Sequence, residues 1–302
     1  MSLELEHNKD MRTRTTMKTG GKAEFFAQPV RIPELHELLR WASEEGHQVT
    51  IIGGGSNILI SDAGIQGLVI DMRLLRRITM RGCLLTVSAG NLLEKAVSSA
   101  SEAGLSGLEV FSGLPGTIGG ALTGNAGCFG HEISEPLAWV EYMDLEGNTH
   151  RDAKEELSFS YRESPFKHNE MIILEAAFLL EPAEAHIVTG RAKQYRQQRR
   201  EMGQYRNPSM GSVFKNPVSL DGKQQLSAGR LIEQAGLLGF AHHKAQVADY
   251  HGNYIINPNG EATSQDIYDL VRIIQRRVAQ KSQIKLEPEI RFLGNFAEHT
   301  AP

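Results

Sequence analysis

The sequence predicts an α+β protein of three subdomains. Three observations carry this: stretches of helical and of strand periodicity alternate along the chain, the 302 residues exceed what one apolar core usually serves, and the pattern turns mainly helical after Ala185. Breaks near Arg77 and Ala185 give subdomains 1–77, 78–185 and 186–302, the last closing with a strand that takes in about 286–294. In the first, residues 33–45 place Leu35, Leu38, Leu39 and Ala42 at i, i+3, i+4 and i+7, with Pro33 near the start and Gly46 past the end, which predicts an amphipathic helix. Residues 49–52, 58–61 and 68–72 read as short strands. The second subdomain opens with a strand at 84–88 and a helix carrying Leu92, Leu93, Ala96, Val97 and Ala100 on one face, then glycine-rich turns. Strands follow around 139–145 and 171–180, the first turned by Glu146-Gly147-Asn148. The third holds a basic segment at 191–206, a helix at 228–235 stopped by Gly236, and a long helix at 265–280 with Ile267, Leu270, Val271, Ile274 and Val278 in register. A strand at 284–293 carries Glu287, Glu289 and Arg291 among apolar residues.

Composition narrows the functions. With 32 Lys+Arg against 36 Asp+Glu the net charge is -4, so no global attraction to phosphate backbones or anionic membranes exists, and neither nucleic acid nor membrane is expected as a partner. The longest apolar run, residues 171–180, is interrupted by Glu175 and falls far short of the roughly 20 residues that span a bilayer. The first 19 residues are polar and charged, unlike a signal peptide, so a cytoplasmic location is expected. Cys83 and Cys128 are too few for a disulfide framework and read as buried free thiols. Gly20-Gly21-Lys22-Ala23 lacks the first glycine and the hydroxyl residue of a P-loop, and a dinucleotide fingerprint begun at Gly53 meets Ile58 where its third glycine belongs. No metal-ligand spacing occurs, and the His242-His243 pair alone supplies no coordination shell, so no metal is expected.

Two glycine segments can carry chemistry. Gly53, Gly54, Gly55, Ser56 and Asn57 follow a strand directly, and residues without Cβ let successive N–H groups converge on an anion such as a pyrophosphate. A tight turn explains that triplet equally well. The second runs from Ser112 through Gly113, Leu114, Pro115, Gly116, Thr117, Ile118, Gly119, Gly120 and Ala121 to Asn125, Ala126 and Gly127, with six glycines in sixteen residues. A flexible linker would not interleave Leu114, Ile118, Ala121 and Leu122, so close packing of backbone against a planar or phosphorylated ligand is the better reading.

Strand-G-G-G-S-N, then S-G-x-P-G-T-I-G-G-A and N-A-G, resembles the flavin-binding part of the UDP-N-acetylenolpyruvoylglucosamine reductase family, the second committed step of bacterial peptidoglycan precursor synthesis. Residues 16–21, 161–167, 211–217, 229–236 and 287–292 resemble further family segments in the family's order. The interval from Arg162 to Ser212 is short, like that of the subgroup without an extra substrate-clamping loop, so no tyrosine clamp is expected. The resemblance implies a fold of the vanillyl-alcohol-oxidase type, with FAD held by two subdomains at the two glycine segments and substrate bound by a C-terminal α+β domain. It implies hydride transfer from NADPH through FAD to UDP-N-acetylglucosamine enolpyruvate, giving UDP-N-acetylmuramate, by a chain expected to be a monomer.

Site roles follow by motif position. Ser212, in G-S-x-F-K-N-P, matches the proton donor, while Arg162 and Glu289 match the pair that stabilises the developing enolate. Read without the resemblance, Ser212 is a turn or cap residue, Arg162 a surface partner of Glu163, and Glu289 a solvated strand residue. Tyr161, Lys215, Asn216 and Arg230 are expected at the UDP-sugar. Of the six basic residues in 191–206, one or two are expected at a phosphate and the rest on a solvated helix face. His243-Lys244 and Ala248-Asp249-Tyr250, before His251, depart from the family's usual residues. Alternative readings are another flavin oxidase or dehydrogenase of this fold, a non-catalytic flavin- or nucleotide-binding paralogue, and a sugar-nucleotide transferase.

Overall fold

In a computed structural model that describes residues 4–167 and 171–298, the chain divides into two units. The first takes the described residues up to His7, Phe25–Gly54 and Gly67–Arg199; the second takes Asn8–Glu24, Gly55–Gln66 and the described residues from Arg200 onward.

In the first unit, helix α1 (Ile32–Glu44) has proline in its first turn, and Gly46 takes φ +71° just beyond its end. It buries Leu35, Leu38, Leu39 and Ala42 in a cluster with Leu68 and Ile70 of the strand Ile65–Asp71. That strand pairs in parallel with Val49–Ile52, from Val49↔Leu68 to Ile52↔Asp71. A second apolar cluster gathers on a five-stranded antiparallel sheet ordered Thr149–Ala153, Leu137–Met143, Ile172–Leu179, Leu84–Ser88, Ile78–Arg81. Helices α2 (Leu93–Glu102) and α3 (Ile118–Thr123) supply Leu93, Ala96, Val97, Ala100, Ile118, Ala121 and Leu122 to it. The breaks expected near Arg77 and Ala185 both lie inside this unit. Helix α4 (Ala185–Glu201) clusters with it up to Arg199, because Ala192 and Tyr195 join the second apolar cluster.

The second unit is built on α5 (Ala228–Gln234), α6 (Ser264–Ser282) and an antiparallel sheet ordered Ser209–Ser212, Tyr254–Ile256, Ala245–Val247, Ala241–His242. Thr263 and Asp266 form a reciprocal cap on α6, which buries Ile267, Leu270, Val271, Ile274 and Val278. Each such side chain contributes about 1.5–3 kcal/mol relative to exposure. No helix among the described residues is long and apolar enough to cross a membrane.

Two expectations are corrected. The strand expected over 284–293 forms only at Arg291–Leu293, paired in parallel with Ile58–Ile60. Pro288 has no N–H for a continuous ladder, so residues 287–289 instead lie beside 213–215 through an isolated bridge, Phe214↔Pro288. The glycine-rich stretch read as turns contains α3, which forms despite Gly119-Gly120 because Thr117 Oγ1 accepts the Gly120 N–H and Ile118 and Leu122 are buried.

Candidate active site

The expected residues divide between the units. In the first, Gly53 and Gly54 meet the second glycine segment directly: a Cβ on Gly53 would collide with Thr117 Oγ1, and one on Gly54 would lie 2.7 Å from Gly116 Cα. Gly113 (φ +80°) and Gly116 (φ +130°) hold backbone conformations open to glycine. Backbone bonds pin the segment to the turn before α2, from Leu93 N–H to Gly116 O (3.1 Å), Ile118 N–H to Asn91 O (2.9 Å) and Gly119 N–H to Ala89 O (2.9 Å). Gly119 approaches so closely that a Cβ there would sit 3.0 Å from Ala89 Cβ. Pro115 and Gly120 are exposed, whereas Ala121 is buried.

Two charged residues that were not expected hold the same segment. Glu94 accepts from the Gly113 N–H and from Ser112 Oγ (3.3 Å), and pairs with Arg196 at 3.3 Å. Arg199, 2% exposed, donates to Ser112 O (3.0 Å) and Val110 O (3.1 Å), with its guanidinium carbon 4.9 Å from the Phe129 ring centroid. Arg191 pairs with Glu109, and Arg191, Lys193, Arg196 and Arg200 are exposed, so Arg199 alone of these turns inward. Its sequence signal is masked by five basic neighbours.

Asn125 is fully buried at φ +41° and donates to Glu132 Oε2 (2.8 Å) and Ser160 O (2.9 Å), while its Oδ1 has no hydrogen-bond partner among the described residues. Gly127 is close to Arg162: Arg162 Nη2 donates to Gly127 O at 3.0 Å, and a Cβ on Gly127 would lie 2.6 Å from Nη1. Ala126, half-buried, packs against the neighbouring apolar cluster. Arg162 sits at φ +59° in the two-residue turn closed by the Ser160↔Glu163 bridge, a position that glycine usually fills. Its guanidinium carbon is 5.1 Å from the ring centroid of the exposed Tyr161, and its carbonyl accepts from Lys167 Nζ at 2.7 Å. Both cysteines are free and half-buried; burial pushes the Cys128 thiol above its ordinary pKa.

In the second unit, Ser212 ends a bulged strand. The register runs Ser209↔Ile256 and Ser212↔Tyr254, so Met210 and Gly211 stand against Ile255 alone, and Gly211 takes φ +72°. The half-buried Ser212 hydroxyl has no hydrogen-bond partner among the described residues. Glu289 is held next to it in the chain fold, its N–H donating to Val213 O at 2.8 Å and its carbonyl accepting from Asn57 Nδ2 at 3.2 Å. Asn57 O accepts the Arg291 N–H (3.0 Å), so the end of the first glycine loop, with Gly55 (φ +66°) and Ser56, is tied to the segment bearing Glu289. Lys215 donates its N–H to Glu287 O (2.9 Å) and pairs with Glu287 Oε1 at 2.6 Å. Asn216 Oδ1 accepts the Ala228 N–H at the start of α5, and Arg230 is exposed on that helix. Ser212, Lys215, Glu289 and Asn57 are therefore brought together, whereas the exposed Arg230 makes no hydrogen bond or ion pair with them among the described residues.

Comparison with known proteins matches these groups to two family models. Residues 23–152 match an FAD binding domain, and residues 203–293 match the C-terminal domain of UDP-N-acetylenolpyruvoylglucosamine reductase. The chain is 40% identical over 284 residues to the UDP-N-acetylenolpyruvoylglucosamine reductase of Synechococcus sp. (strain JA-3-3Ab), covering 93% of this chain and 89% of that protein. It is 35% identical over 298 residues to the enzyme so named from Caldicellulosiruptor saccharolyticus, covering 98% and 94%. The crystal structure of UDP-N-acetylenolpyruvylglucosamine reductase from Thermus caldophilus superposes with a TM-score of 0.80 at 31% identity, covering 97% of this chain and all of that one.

Proposed function

The chain belongs to the UDP-N-acetylenolpyruvoylglucosamine reductase family, and we propose that it reduces UDP-N-acetylglucosamine enolpyruvate to UDP-N-acetylmuramate with NADPH, in the cytosol, for peptidoglycan precursor synthesis. It is an oxidoreductase with an FAD-binding domain. Its residues fit that cofactor: Asn125 Oδ1 is a buried acceptor that lacks a donor among the described residues, in a segment whose neighbour Gly116 packs backbone on backbone against Gly54. Gly53 to Asn57 and the segment from Gly113 to Gly127 would hold it. FAD supplies the hydride relay between NADPH and the terminal carbon of the enolpyruvyl group.

The remaining chemistry belongs to side chains. Hydride addition leaves negative charge on the adjacent carbon and its carboxylate, so groups that bind charge more tightly as it appears accelerate the step. Arg162 provides forked, permanently protonated donors, and Glu289, in its protonated form, a further donor. Ser212 Oγ gives its proton to the carbon. Tyr161, Lys215, Asn216 and Arg230 read the UDP-sugar. The observation that supports this most directly is the Ser212 hydroxyl, at the end of a bulged strand, without a partner among the described residues and followed by Val213, whose carbonyl accepts the Glu289 N–H. The two apolar clusters of the first unit support the division into two flavin subdomains.

An anaerobic absorbance trace tests the function. Flavin bands bleached by NADPH should return on adding UDP-N-acetylglucosamine enolpyruvate. Return with oxygen alone would show an oxidase or a sensor instead.

A further inference from the structure

We propose that Asn253 is the positioning residue for Ser212, fixing the two residues that follow it so that its hydroxyl is aimed at the reacting carbon. The proposal rests on the reading of Ser212 as proton donor. Asn253 is 5% exposed and lies opposite the bulged end of the Ser209–Ser212 strand. Its side-chain Oδ1 accepts the Phe214 N–H at 3.0 Å, its Nδ2 donates to Phe214 O at 2.8 Å, and its own carbonyl accepts the Val213 N–H at 3.0 Å. One residue thus holds three backbone groups of the dipeptide after Ser212. The amide orientation is settled by its partners, since Phe214 N–H only donates and Phe214 O only accepts.

The need for such a clamp follows from the bulge. The register shift and the left-handed Gly211 end regular pairing at Ser212, so backbone groups just beyond it lose ladder partners. Phe214 is 1% exposed, and water is poorly placed to serve them. Asn253 replaces the missing ladder with a side-chain amide. Its own backbone is fixed in turn: the N–H donates to His251 Nδ1 at 3.2 Å, and a Cβ on Gly252 would collide with Gly229 O, so the chain passes tightly over the start of α5. Burial pushes the His251 imidazole below its ordinary pKa, toward the neutral form that leaves Nδ1 free to accept. His251, which follows a sequence departure, thereby acquires a place in the site as the support of Asn253.

The test is a double-mutant cycle of N253A and S212A, with both half-reactions followed by stopped-flow flavin absorbance. N253A should leave flavin reduction by NADPH within about twofold, and slow reoxidation by the enolpyruvyl substrate on the order of 10²-fold, the cost of a misplacement near 1 Å. In the S212A background N253A should have almost no further effect on reoxidation. If N253A does not yield folded protein, N253D replaces it: the volume and the acceptor for Phe214 N–H are kept, and the ionised carboxylate cannot donate to Phe214 O. Equal loss in both half-reactions, or the same additional loss of reoxidation in the S212A background, overturns the positioning role alone. Wild-type reoxidation in S212A overturns the proton-donor reading and, with it, the proposal.

Discussion

Two turns beside the proposed catalytic groups use left-handed backbone in opposite ways. In the first unit Arg162 itself carries φ +59°; in the second, Gly211 carries φ +72° and leaves Ser212 in the strand. A left-handed arginine costs roughly 1–2 kcal/mol, whereas glycine takes that conformation nearly free of strain. The difference follows from what each side chain must do. Arg162 brings its guanidinium onto Gly127 O from the tip of a two-residue turn, so here the residue proposed for charge stabilisation itself bears the strain. Ser212 has a short side chain whose direction is set by the backbone, so the bend is delegated to its neighbour and the chain beyond is clamped by Asn253.

The largest effect expected is on Ser212. S212A should slow reoxidation by the enolpyruvyl substrate by about 10²–10⁴-fold with flavin reduction by NADPH nearly unchanged. Equal loss in both steps would remove the distinction between the two turns. R162K should lose on the order of 10²-fold in kcat, because a point charge replaces a fork; wild-type turnover would show that the strained turn serves packing only. Strain itself is isolated by comparing R162G with R162A, both without the guanidinium. R162G should be the more stable by about 1 kcal/mol in urea unfolding, and equal midpoints would mean the turn relaxes.

G211A makes the converse comparison. A Cβ there meets nothing within 4 Å, so its cost is conformational, about 1 kcal/mol; a much larger loss would reveal a collision that the backbone does not show. The smallest effect concerns Cys128, beside Gly127. With its thiol pushed up by burial, it should be alkylated by iodoacetamide at pH 8 more slowly in the folded protein than in urea, and equal rates would contradict its enclosure.

Much of this arrangement was legible in the chain. Helix periodicity placed α1, α2, α5 and α6 within one to two residues, since amphipathic spacing survives whatever the helix packs against. The glycine segments stood out because close backbone approach leaves a compositional trace, and the structure sets Gly53 and Gly54 on Thr117 and Gly116. Other features leave none. The strand Glu6–Asp10 is all polar, without apolar alternation, and exists through its sheet neighbour. Arg199 reads as one cation among six, yet it is buried on the carbonyls of Val110 and Ser112.

Family, cofactor class and helix positions were determined by residue identity and local spacing, because glycine freedom, proline restriction and amphipathic period act over a few residues. Which backbone groups lack a ladder partner, which cation turns inward, and which side chain completes the strand after Ser212 were decided only in the tertiary structure. Those outcomes depend on hydrogen-bond satisfaction between segments far apart in sequence, Asn253 with Phe214 and Arg199 with Ser112, and burial alone makes each of them costly to leave unmade.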